Sequence, residues 1–425
     1  MAQRRTAGCM VALGLAWLSM PAAADEIVFL STQLRPIEEA QKVRDVILQG
    51  FAGEVDFIPE DPGPFTTRML AEMATATGAV DLVGAVHGEL PPVQDGLAPV
   101  GDVMGRLGDR TFNPTFVELG KLGTSEQMYV PWIQASYIMA ANRQALAHLP
   151  DGADIQSLTY AQLQQWAANV EAATGERKLG FPAGPKGLMH RFFQGYLYPS
   201  YTGGVVRPFK SPEAAQMWAD FTAIWEHASP RSTSYAFMQE PLLAEEVWIA
   251  FDHTARLLEA FRQRPDDFVA FPAPAGPAGR GFMPVIAGLA IPKNAPQPEA
   301  AAELIGYLTQ PEVQIETLKA VGFYPVIEVD LPADLDPGIK IAAAAIDAQA
   351  SAKDAIPSLL PVGLGERGGE LNKIYLDTFQ LIVMRGADLE ETLAEQGEKL
   401  AQLMAETGAP CWEPDQPSDG PCPVE

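Results

Sequence analysis

The sequence predicts an α/β protein that is divided into two lobes. Strands and amphipathic helices alternate near the start of the mature chain, which is the pattern of a parallel sheet with right-handed crossovers. The chain has 425 residues, and this length exceeds what a single hydrophobic core usually serves. With 47% hydrophobic and 20% charged residues, the composition is typical of a folded globular protein and argues against intrinsic disorder.

The first 24 residues predict a cleaved secretory signal peptide. Arg4 and Arg5 precede an apolar stretch at 10–20, and Pro-Ala-Ala-Ala follows at 21–24. A basic start, a short apolar core and small residues before the cleavage point are typical of such signals. The apolar stretch is too short to span a bilayer. We therefore expect cleavage after Ala24 and a periplasmic location.

The charge of the chain restricts its partners. The formal net charge is −25, which disfavours binding to nucleic acid or to anionic lipid and favours solubility. This balance leaves the charge of a small ligand open.

The first lobe is predicted from three strands and two helices in alternation. The strands are expected at 27–30, 55–58 and 80–86, and the first of them is an apolar run that suits burial on both faces. Apolar residues recur at helical spacing over 36–51, where proline suits the helix start, and again over 65–73. This order predicts a parallel sheet.

The carboxyl ends of these strands predict a binding edge. Ligands of open α/β sheets bind beyond those ends, which are here 31–33, 59–61 and 87–89. The candidate ligand contacts are Gln33, Arg35, Glu60, Asp61, His87 and Glu89. Polar residues at strand ends also serve as solvated turns or loop braces, so both interpretations stay open for this set.

A second, mostly helical lobe is expected at about 140–280. A capping box at Thr159 and an N-cap at Ser211, which proline follows, predict two helix starts. An aromatic cluster lies between these helices at 192–201. A loop rich in alanine, proline and glycine precedes an apolar strand near 285–291.

The last third predicts helices at about 299–309, from Glu312 onward, and around the leucines of 389–403. Cys411 and Cys422 lie beyond them in a tail rich in proline and acidic residues. Because the chain is bound for an oxidising compartment, these two cysteines predict a disulfide. A metal or redox pair is the alternative for them, while Cys9 leaves with the signal peptide.

Several stretches carry a resemblance to a known family. Residues 290–293 read Ala-Ile-Pro-Lys, a Pro-Glu-Ala-Ala-Ala-Glu helix follows from 298, and 322–326 read Gly-Phe-Tyr-Pro-Val. With the stretch that runs from Tyr-Val-Pro-Trp at 129–132 to Ala-Asn-Arg at 141–143, they resemble the corresponding stretches of maltose-binding-protein-like extracellular solute-binding proteins. Those proteins are the carbohydrate receptors of bacterial ABC importers. The resemblance covers nearly the whole mature chain.

The resemblance implies a two-lobed periplasmic-binding-protein fold, in which each lobe is a mostly parallel sheet flanked by helices. The N-terminal lobe would comprise 25–134 and 284–327, and the C-terminal lobe 135–283 and 328–425 with its Cys-bridged tail. The ligand would bind in the cleft between them, and hinge closure would enclose it. A monomer that works with transmembrane permease subunits is expected.

The resemblance also extends the set of candidate ligand contacts. A sugar site needs paired hydrogen-bonding groups and flat aromatic rings. The added candidates are Trp132, Tyr196, Tyr201, Trp248, Asp252, Phe282, Tyr324 and Arg367. Packing within the lobe is the alternative for the tyrosines, and a surface loop is the alternative for Arg367.

The expected function is capture of a sugar, glycoside or polyol and its delivery to the permease. An alternative keeps the fold but binds an anionic sugar derivative or a glycerophosphodiester. Arg35, Arg191, Arg367 and His190 could supply charge for it, because a guanidinium matches oxyanion geometry.

A periplasmic hydrolase is a third possibility, but the sequence contains no GxSxG elbow, HExxH helix or P-loop. With 5 histidines, none of them paired at ligand spacing, we expect no metal site, no cofactor and no catalysis.

Overall fold

The computed structural model describes residues 26–34 and 37–425. The predicted signal peptide and Arg35 therefore lie outside the described residues. The strands, in chain order, are β1 (Ile27–Ser31), β2 (Val55–Pro59), β3 (Leu82–Val86), β4 (Leu97–Ala98), β5 (Val130–Ala135), β6 (Tyr137–Asn142), β7 (Leu179–Gly180), β8 (Ile249–His253), β9 (Phe268–Phe271), β10 (Arg280–Phe282), β11 (Val285–Pro292) and β12 (Ala355–Pro357).

Helices fill most of the remaining chain. They are α1 (Ile37–Lys42), α2 (Pro62–Met73), α3 (Gly101–Arg106), α4 (Pro114–Leu119), α5 (Tyr160–Thr174), α6 (Met189–Phe192), α7 (Tyr198–Thr202), α8 (Pro212–Trp225), α9 (Gln239–Leu243), α10 (Thr254–Gln263), α11 (Pro298–Leu308), α12 (Pro311–Val321), α13 (Pro337–Ala350), α14 (Gly368–Phe379) and α15 (Leu389–Thr407). Among the described residues, no helix combines the length and apolarity that crossing a membrane requires.

A six-stranded sheet organises the half of the molecule that we call the first lobe. The strand order is β2-β1-β3-β11-β4, and β5 also pairs with β11. The pairs β1–β2 and β1–β3 are parallel, as the alternation of strands and helices predicts. The late strand β11 runs antiparallel to β3, β4 and β5. Because β1, β2 and β3 are parallel, their carboxyl ends meet at one edge of the sheet.

Alternate residues of the first-lobe strands enter different cores, as the two-residue period of a strand requires. Phe29 and Leu82 pack in a core that includes residues of α11 and α12. Their neighbours Leu30 and Val83 pack on the other face in a core that includes Phe65 of α2. Helices thus cover both faces of the sheet.

A four-stranded sheet, in the order β7-β8-β6-β9, organises the second lobe. Strand β6 runs antiparallel to β8 and β9, whereas β7 and β8 are parallel. Met139 and Ala141 of β6 belong to a core shared with α5, α8 and α14, while Ile138 and Ala140 belong to one shared with α10 and α13. A separate pair, β10 and β12, is parallel.

Two helix starts in the second lobe have the predicted caps. Thr159 Oγ1 accepts from the backbone N–H of Gln162 at 3.2 Å, and Gln162 Oε1 accepts from the N–H of Thr159 at 3.0 Å. At α8, Ser211 Oγ accepts from the N–H of Ala214 at 3.2 Å, and proline occupies the first helical turn. Both interactions satisfy backbone donors that a helix start leaves unpaired.

The chain passes between the lobes at Ser136, between β5 and β6, and returns beside Met283, before β11. Ser136 Oγ donates to the carbonyl of Met283 at 3.2 Å. Gln349 Nε2 donates to Ser136 Oγ at 3.3 Å and to the carbonyl of Tyr137 at 3.1 Å. These hydrogen bonds join two of the segments that cross between the lobes to α13.

The predicted disulfide between Cys411 and Cys422 is present. The loop that it closes presents Asp415, whose carboxylate accepts from the backbone N–H groups of 205–207 at 2.8–3.0 Å. Burial raises the pKa of Asp415, and these three hydrogen bonds oppose the rise because they favour the charged form. The tail is therefore attached to the second lobe by a buried polar cluster.

Candidate functional site

A cavity of about 650 Å³ lies between the two lobes. This volume falls in the range of small-molecule sites. The first lobe lines it with Thr32, Gln33, Leu34, Glu39, Pro62, Gly63, Thr66, Val86, Gly88, Glu89, Pro92, Val285 and Phe323. The second lobe lines it with Tyr137, Leu188, Arg191, Phe237, Gln239, His253, Ala255, Arg256, Leu360, Pro361, Gly365, Gly368, Gly369 and Asn372.

The first-lobe wall contains a chain of hydrogen bonds at the carboxyl ends of β1 and β3. Gln33 Nε2 donates to Thr32 Oγ1 at 3.1 Å, and Thr32 Oγ1 donates to Glu89 Oε2 at 2.5 Å. The same carboxylate oxygen accepts from the backbone N–H of Val86 at 3.1 Å. These contacts orient an amide, a hydroxyl and a carboxylate at the cavity, and such groups suit a polyhydroxylated ligand.

Gly88 allows the two lobes to approach each other beside this wall. A Cβ atom at Gly88 would lie 2.4 Å from the carbonyl oxygen of Pro361 in the second lobe. Real Cβ atoms do not tolerate such a distance. A glycine at this position is therefore what permits the contact between the lobes.

The second-lobe wall presents Arg191 at the end of α6. Its Nη1 atom lies 3.5 Å from Gln194 Oε1, and Gln194 Nε2 donates to Asn372 Oδ1 at 3.0 Å. Gln194 is buried, whereas Arg191 and Asn372 line the cavity. Residues of α6 and α14 are thus linked behind the cavity surface.

Arg256 of α10 is held in place by backbone carbonyls and by an aromatic ring. Its Nη1 atom donates to the carbonyl of Ala236 at 3.0 Å and to that of Lys186 at 3.3 Å. The guanidinium carbon lies 4.4 Å from the centre of the Phe237 ring, a cation–π distance. Phe237 is 44% exposed although it is a large apolar residue, and it lines the cavity.

His253 contributes a neutral imidazole to the cavity. Burial, and then the charge of Arg256, lower its pKa to about 3. Its Nδ1 atom accepts from the backbone N–H of Ala255 at 3.2 Å, so the ring proton resides on Nε2. The ring packs edge-on against Tyr137, with centroids 5.1 Å apart. The imidazole can therefore act at neutral pH as a hydrogen-bond donor without a charge.

Two of the predicted site residues, Gln33 and Glu89, line the cavity. Others lie close in sequence to the lining but outside it. Glu60 and Asp61 precede the first turn of α2, where Pro62, Gly63 and Thr66 line the cavity instead.

His87 is buried behind the cavity, where its Nδ1 atom lies 3.1 Å from the hydroxyl of Tyr129. It is not a lining residue. Burial lowers its pKa to about 4, so the ring is neutral in the folded protein at neutral pH.

The aromatic residues predicted as ligand contacts pack within the lobes. Trp132 is 0% exposed and packs against Phe29. Tyr196 is also 0% exposed and bonds to the crossing segment, and Tyr201 donates to Asp220 Oδ2 at 2.9 Å. Trp248 stacks on His148. None of these rings lines the cavity.

The remaining predicted contacts also lie outside the cavity lining. Asp252 is fully buried next to His253, and burial raises its pKa to about 7. Phe282 packs on the second-lobe core, and Tyr324 lies in the core beside α13. Arg367 forms ion pairs with Glu370 and Glu406 at 2.7 and 2.8 Å.

Sequence reasoning missed most of the second-lobe wall. Phe237, Arg256 and Asn372 belong to separate parts of the chain and carry no motif. Tyr137 lies inside the stretch that carries the family resemblance at 129–143, so that stretch contained a signal for it. The sequence indicates Arg191 only as a source of charge for an anionic ligand.

Metal binding finds no support in the described part of the chain, which contains no group of three or more His, Cys, Asp or Glu side chains that could hold an ion. The lining offers hydroxyl, amide, carboxylate, imidazole and guanidinium groups. Such a set can recognise a polar solute by direct hydrogen bonds.

Comparisons with known proteins agree with this arrangement. The family model described as bacterial extracellular solute-binding protein matches residues 53–315. No curated protein sequence matches the chain. Among solved structures, MalE from Xanthomonas citri superposes with a TM-score of 0.71 at 16% identity, covering 90% of this chain and 98% of its own.

Two further solved structures are similar over most of their length. UgpB from Mycobacterium tuberculosis in complex with glycerophosphocholine has a TM-score of 0.70 at 17% identity, covering 90% of this chain and 99% of its own. Maltose-bound MalE3 from T. maritima has a TM-score of 0.69 at 17% identity, covering 89% and 99%. At these identities the likeness concerns the fold, and it confirms the predicted two-lobed fold.

Proposed function

The chain belongs to the family of bacterial extracellular solute-binding proteins, and we propose that it captures a sugar, glycoside or polyol between its lobes for delivery to an ABC permease. Hinge closure about the crossing segments at Ser136 and Met283 encloses the solute in this proposal. The protein binds its ligand without transforming it.

The observation that carries the proposal is the position and lining of the cavity. Residues of both lobes line it, and both lobes supply polar side chains to it. Gln33 and Glu89 contribute from the first lobe, and Arg191, His253 and Asn372 contribute from the second. A solute bound to both walls favours the closed arrangement, because it gains contacts there that the open one lacks.

The ligands of similar proteins have a size that the cavity between the lobes can accommodate. One neighbour was solved with maltose and another with glycerophosphocholine. Both are small polar molecules rich in oxygen acceptors, and a cavity of about 650 Å³ accommodates ligands of this class.

The proposal includes the location and the partners expected from the sequence. Export through the signal peptide at 1–24 would deliver a monomer to the periplasm. The lobe limits 25–134 with 284–327, and 135–283 with 328–425, are part of this proposal. Transmembrane permease subunits would receive the loaded protein.

Titration of the mature protein with a panel of mono- and disaccharides, glycosides and polyols tests this function. Thermal shift identifies binders, and calorimetry measures their affinity. The proposal expects at least one member of the panel, or a charged derivative of one, to raise the melting temperature. Stabilisation by amino acids, polyamines or metal ions, with none by carbohydrates or their derivatives, would contradict it.

A further inference from the structure

Two arginines of the cavity wall have no acidic partner. No carboxylate oxygen of the described residues lies within 4.0 Å of a guanidinium nitrogen of Arg191 or Arg256. By contrast, the surface residues Arg106, Arg231 and Arg367 each have such an oxygen at 2.5, 2.6 and 2.7 Å. The chain contains 54 acidic and 29 basic residues, so acidic partners are abundant elsewhere. On the second-lobe side of the cavity, two guanidinium groups therefore lack a direct ion pair, while the carboxylates of Glu39 and Glu89 contribute to the first-lobe side.

The two charges act on the same part of the wall. Burial lowers the pKa of His190, and the charges of both Arg191 and Arg256 lower it further. Burial raises the pKa of Tyr137, and the same two arginines oppose that rise. Both guanidinium groups thus act electrostatically on Tyr137, which lines the cavity, and on His190. Because its pKa is lowered, His190 is neutral at neutral pH and supplies no charge for an anionic ligand, contrary to the expectation from the sequence.

One buried acidic group, Asp252, acts electrostatically on Arg256 without forming an ion pair with it. Asp252 is fully buried and interacts electrostatically with Arg256, and its pKa is raised to about 7, mainly by burial. Its carboxylate accepts from the N–H groups of Met238 and His253 at 2.9 and 2.7 Å. It therefore bonds to backbone and not to either guanidinium.

Both guanidinium groups are held in place while donors remain unused. Arg256 bonds to Ala236 and Lys186 through Nη1 alone, and the Phe237 ring lies 4.4 Å away. Arg191 uses Nη1 towards Gln194. A guanidinium has five N–H donors in a rigid plane, so each arginine keeps donors for an oxyanion. Side chains already fixed in place bind at a lower entropic cost.

We propose that the natural solute is a sugar or polyol that bears an oxyanion, such as a phosphate ester or a carboxylate, and that Arg191 and Arg256 bind this group. The neutral His253 adds an uncharged donor beside them. Gln33, Thr32 and Glu89 on the opposite wall bind the hydroxyl groups. This assignment rests on the proposed function and narrows its ligand class.

Matched pairs of solutes that differ in charge test the assignment. Calorimetry compares glucose with glucose 6-phosphate and glucuronate, and glycerol with glycerol 3-phosphate. At least one anionic member should bind at least about tenfold more tightly than its neutral partner, because charge-assisted hydrogen bonds are worth about twice neutral ones. Comparison of the phosphate esters with glucuronate shows whether the bound oxyanion is a phosphate or a carboxylate.

Three variants locate the binding group. Arg191→Gln and Arg256→Gln should each weaken the anionic binder at least about tenfold. Arg385→Gln removes the same charge from an exposed position of the second lobe that does not line the cavity, and it should bind as the wild type does. The affinity of the wild type should also fall as salt is added, which tests the charge without any substitution.

The outcomes distinguish a failure of the anionic-ligand assignment from a failure of the proposed solute-binding function. If neutral members bind as tightly as their anionic partners, or if both cavity variants and added salt leave the affinity unchanged, the anionic ligand is excluded while solute binding stands. If no member of any pair binds and the protein purified from its host carries no small solute, the proposed function fails as well.

Discussion

The hydroxyl of Tyr196 donates to the backbone carbonyl of Tyr137 at 2.8 Å and accepts from the backbone N–H of that residue at 3.0 Å. Tyr137 follows the crossing residue Ser136 and also lines the cavity. Ser136 Oγ lies 3.3 Å from the same hydroxyl. Tyr196, which sequence reasoning placed among the ligand contacts, therefore fixes the point where the chain enters the second lobe.

Replacing Tyr196 with Phe removes this hydroxyl and leaves a buried N–H and a buried carbonyl of Tyr137 with fewer partners. We expect the free energy of unfolding to fall by about 1–3 kcal/mol. We also expect weaker solute binding, because Tyr137 is then less well positioned. Urea unfolding and calorimetry measure the two effects.

Tyr198→Phe is the matched control. Tyr198 is equally buried, and its hydroxyl donates to Phe209 and accepts from Trp218, both at 3.0 Å. It makes no contact with the crossing segment, so its substitution should lower stability with little effect on affinity. Equal loss of affinity in both variants would show that Tyr196 has no special role at the crossing.

The stability of the protein should depend on the protonation of His87. Its pKa falls from 6.5 to about 4 on folding, because of burial. Below pH 6.5 the unfolded chain therefore takes up a proton that the folded protein does not. The free energy of unfolding therefore has its full value with respect to His87 above pH 6.5. It falls as the pH is lowered towards 4, by up to about 3 kcal/mol.

Urea unfolding between pH 4 and 7 measures this dependence. His87→Gln should lose less stability on acidification than the wild type does. Tyr129→Phe is the control, because it removes the hydrogen-bond partner at 3.1 Å but keeps the buried imidazole. Identical pH profiles for the wild type and His87→Gln would disprove the assignment.

The disulfide should stabilise the tail and the cavity segment that it contacts. The N–H of Leu359 donates to the carbonyl of Glu413 at 3.0 Å, and Leu360 and Pro361 line the cavity. Replacing both Cys411 and Cys422 with Ala should cost about 3 kcal/mol in the chain-entropy model. Hydrogen exchange should increase at 358–365 and in the tail.

A dithiol reductant supplies the control for this prediction. It should reproduce the exchange pattern of the double variant in the wild type and leave the double variant unchanged. Unaltered exchange at 358–365 after reduction would show that the tail does not brace the cavity wall.

Features determined by local sequence could be predicted well. The apolar strand runs, the caps at Thr159 and Ser211 and the Cys411–Cys422 pair depend on neighbouring residues or on the redox compartment. The two-lobed fold followed from chain length, strand order and the stretch around 290–293. The parallel pairing of β1, β2 and β3 also correctly indicated which sheet edge faces the cavity.

The lining of the cavity could be predicted only in part. Gln33 and Glu89 follow strands whose direction was known, so their position could be inferred. Whether Trp132 and Trp248 face a core or a cleft depends on packing between distant elements, and the same residue types suit both places. Phe237 and Arg256 come together through the fold of the second lobe, which no local pattern reports.

A side chain that fills the cavity between the lobes should exclude a small solute from it. Gly369 lines the cavity, and a Cβ atom there would meet no heavy atom within 4 Å. Tryptophan at this position should therefore fill ligand space without disturbing the fold. Gly105→Trp is the control, since Gly105 is equally open to substitution but lies on α3, outside the cavity lining.

Calorimetry with the solute of the panel that binds most tightly compares the wild type, Gly369→Trp and Gly105→Trp. Thermal unfolding first checks that the three proteins have the same melting temperature. We predict that Gly369→Trp weakens binding at least about 100-fold, a loss of about 3 kcal/mol, while Gly105→Trp binds as the wild type does. Wild-type affinity in Gly369→Trp would show that the solute binds elsewhere on the protein and not in the cavity between the lobes.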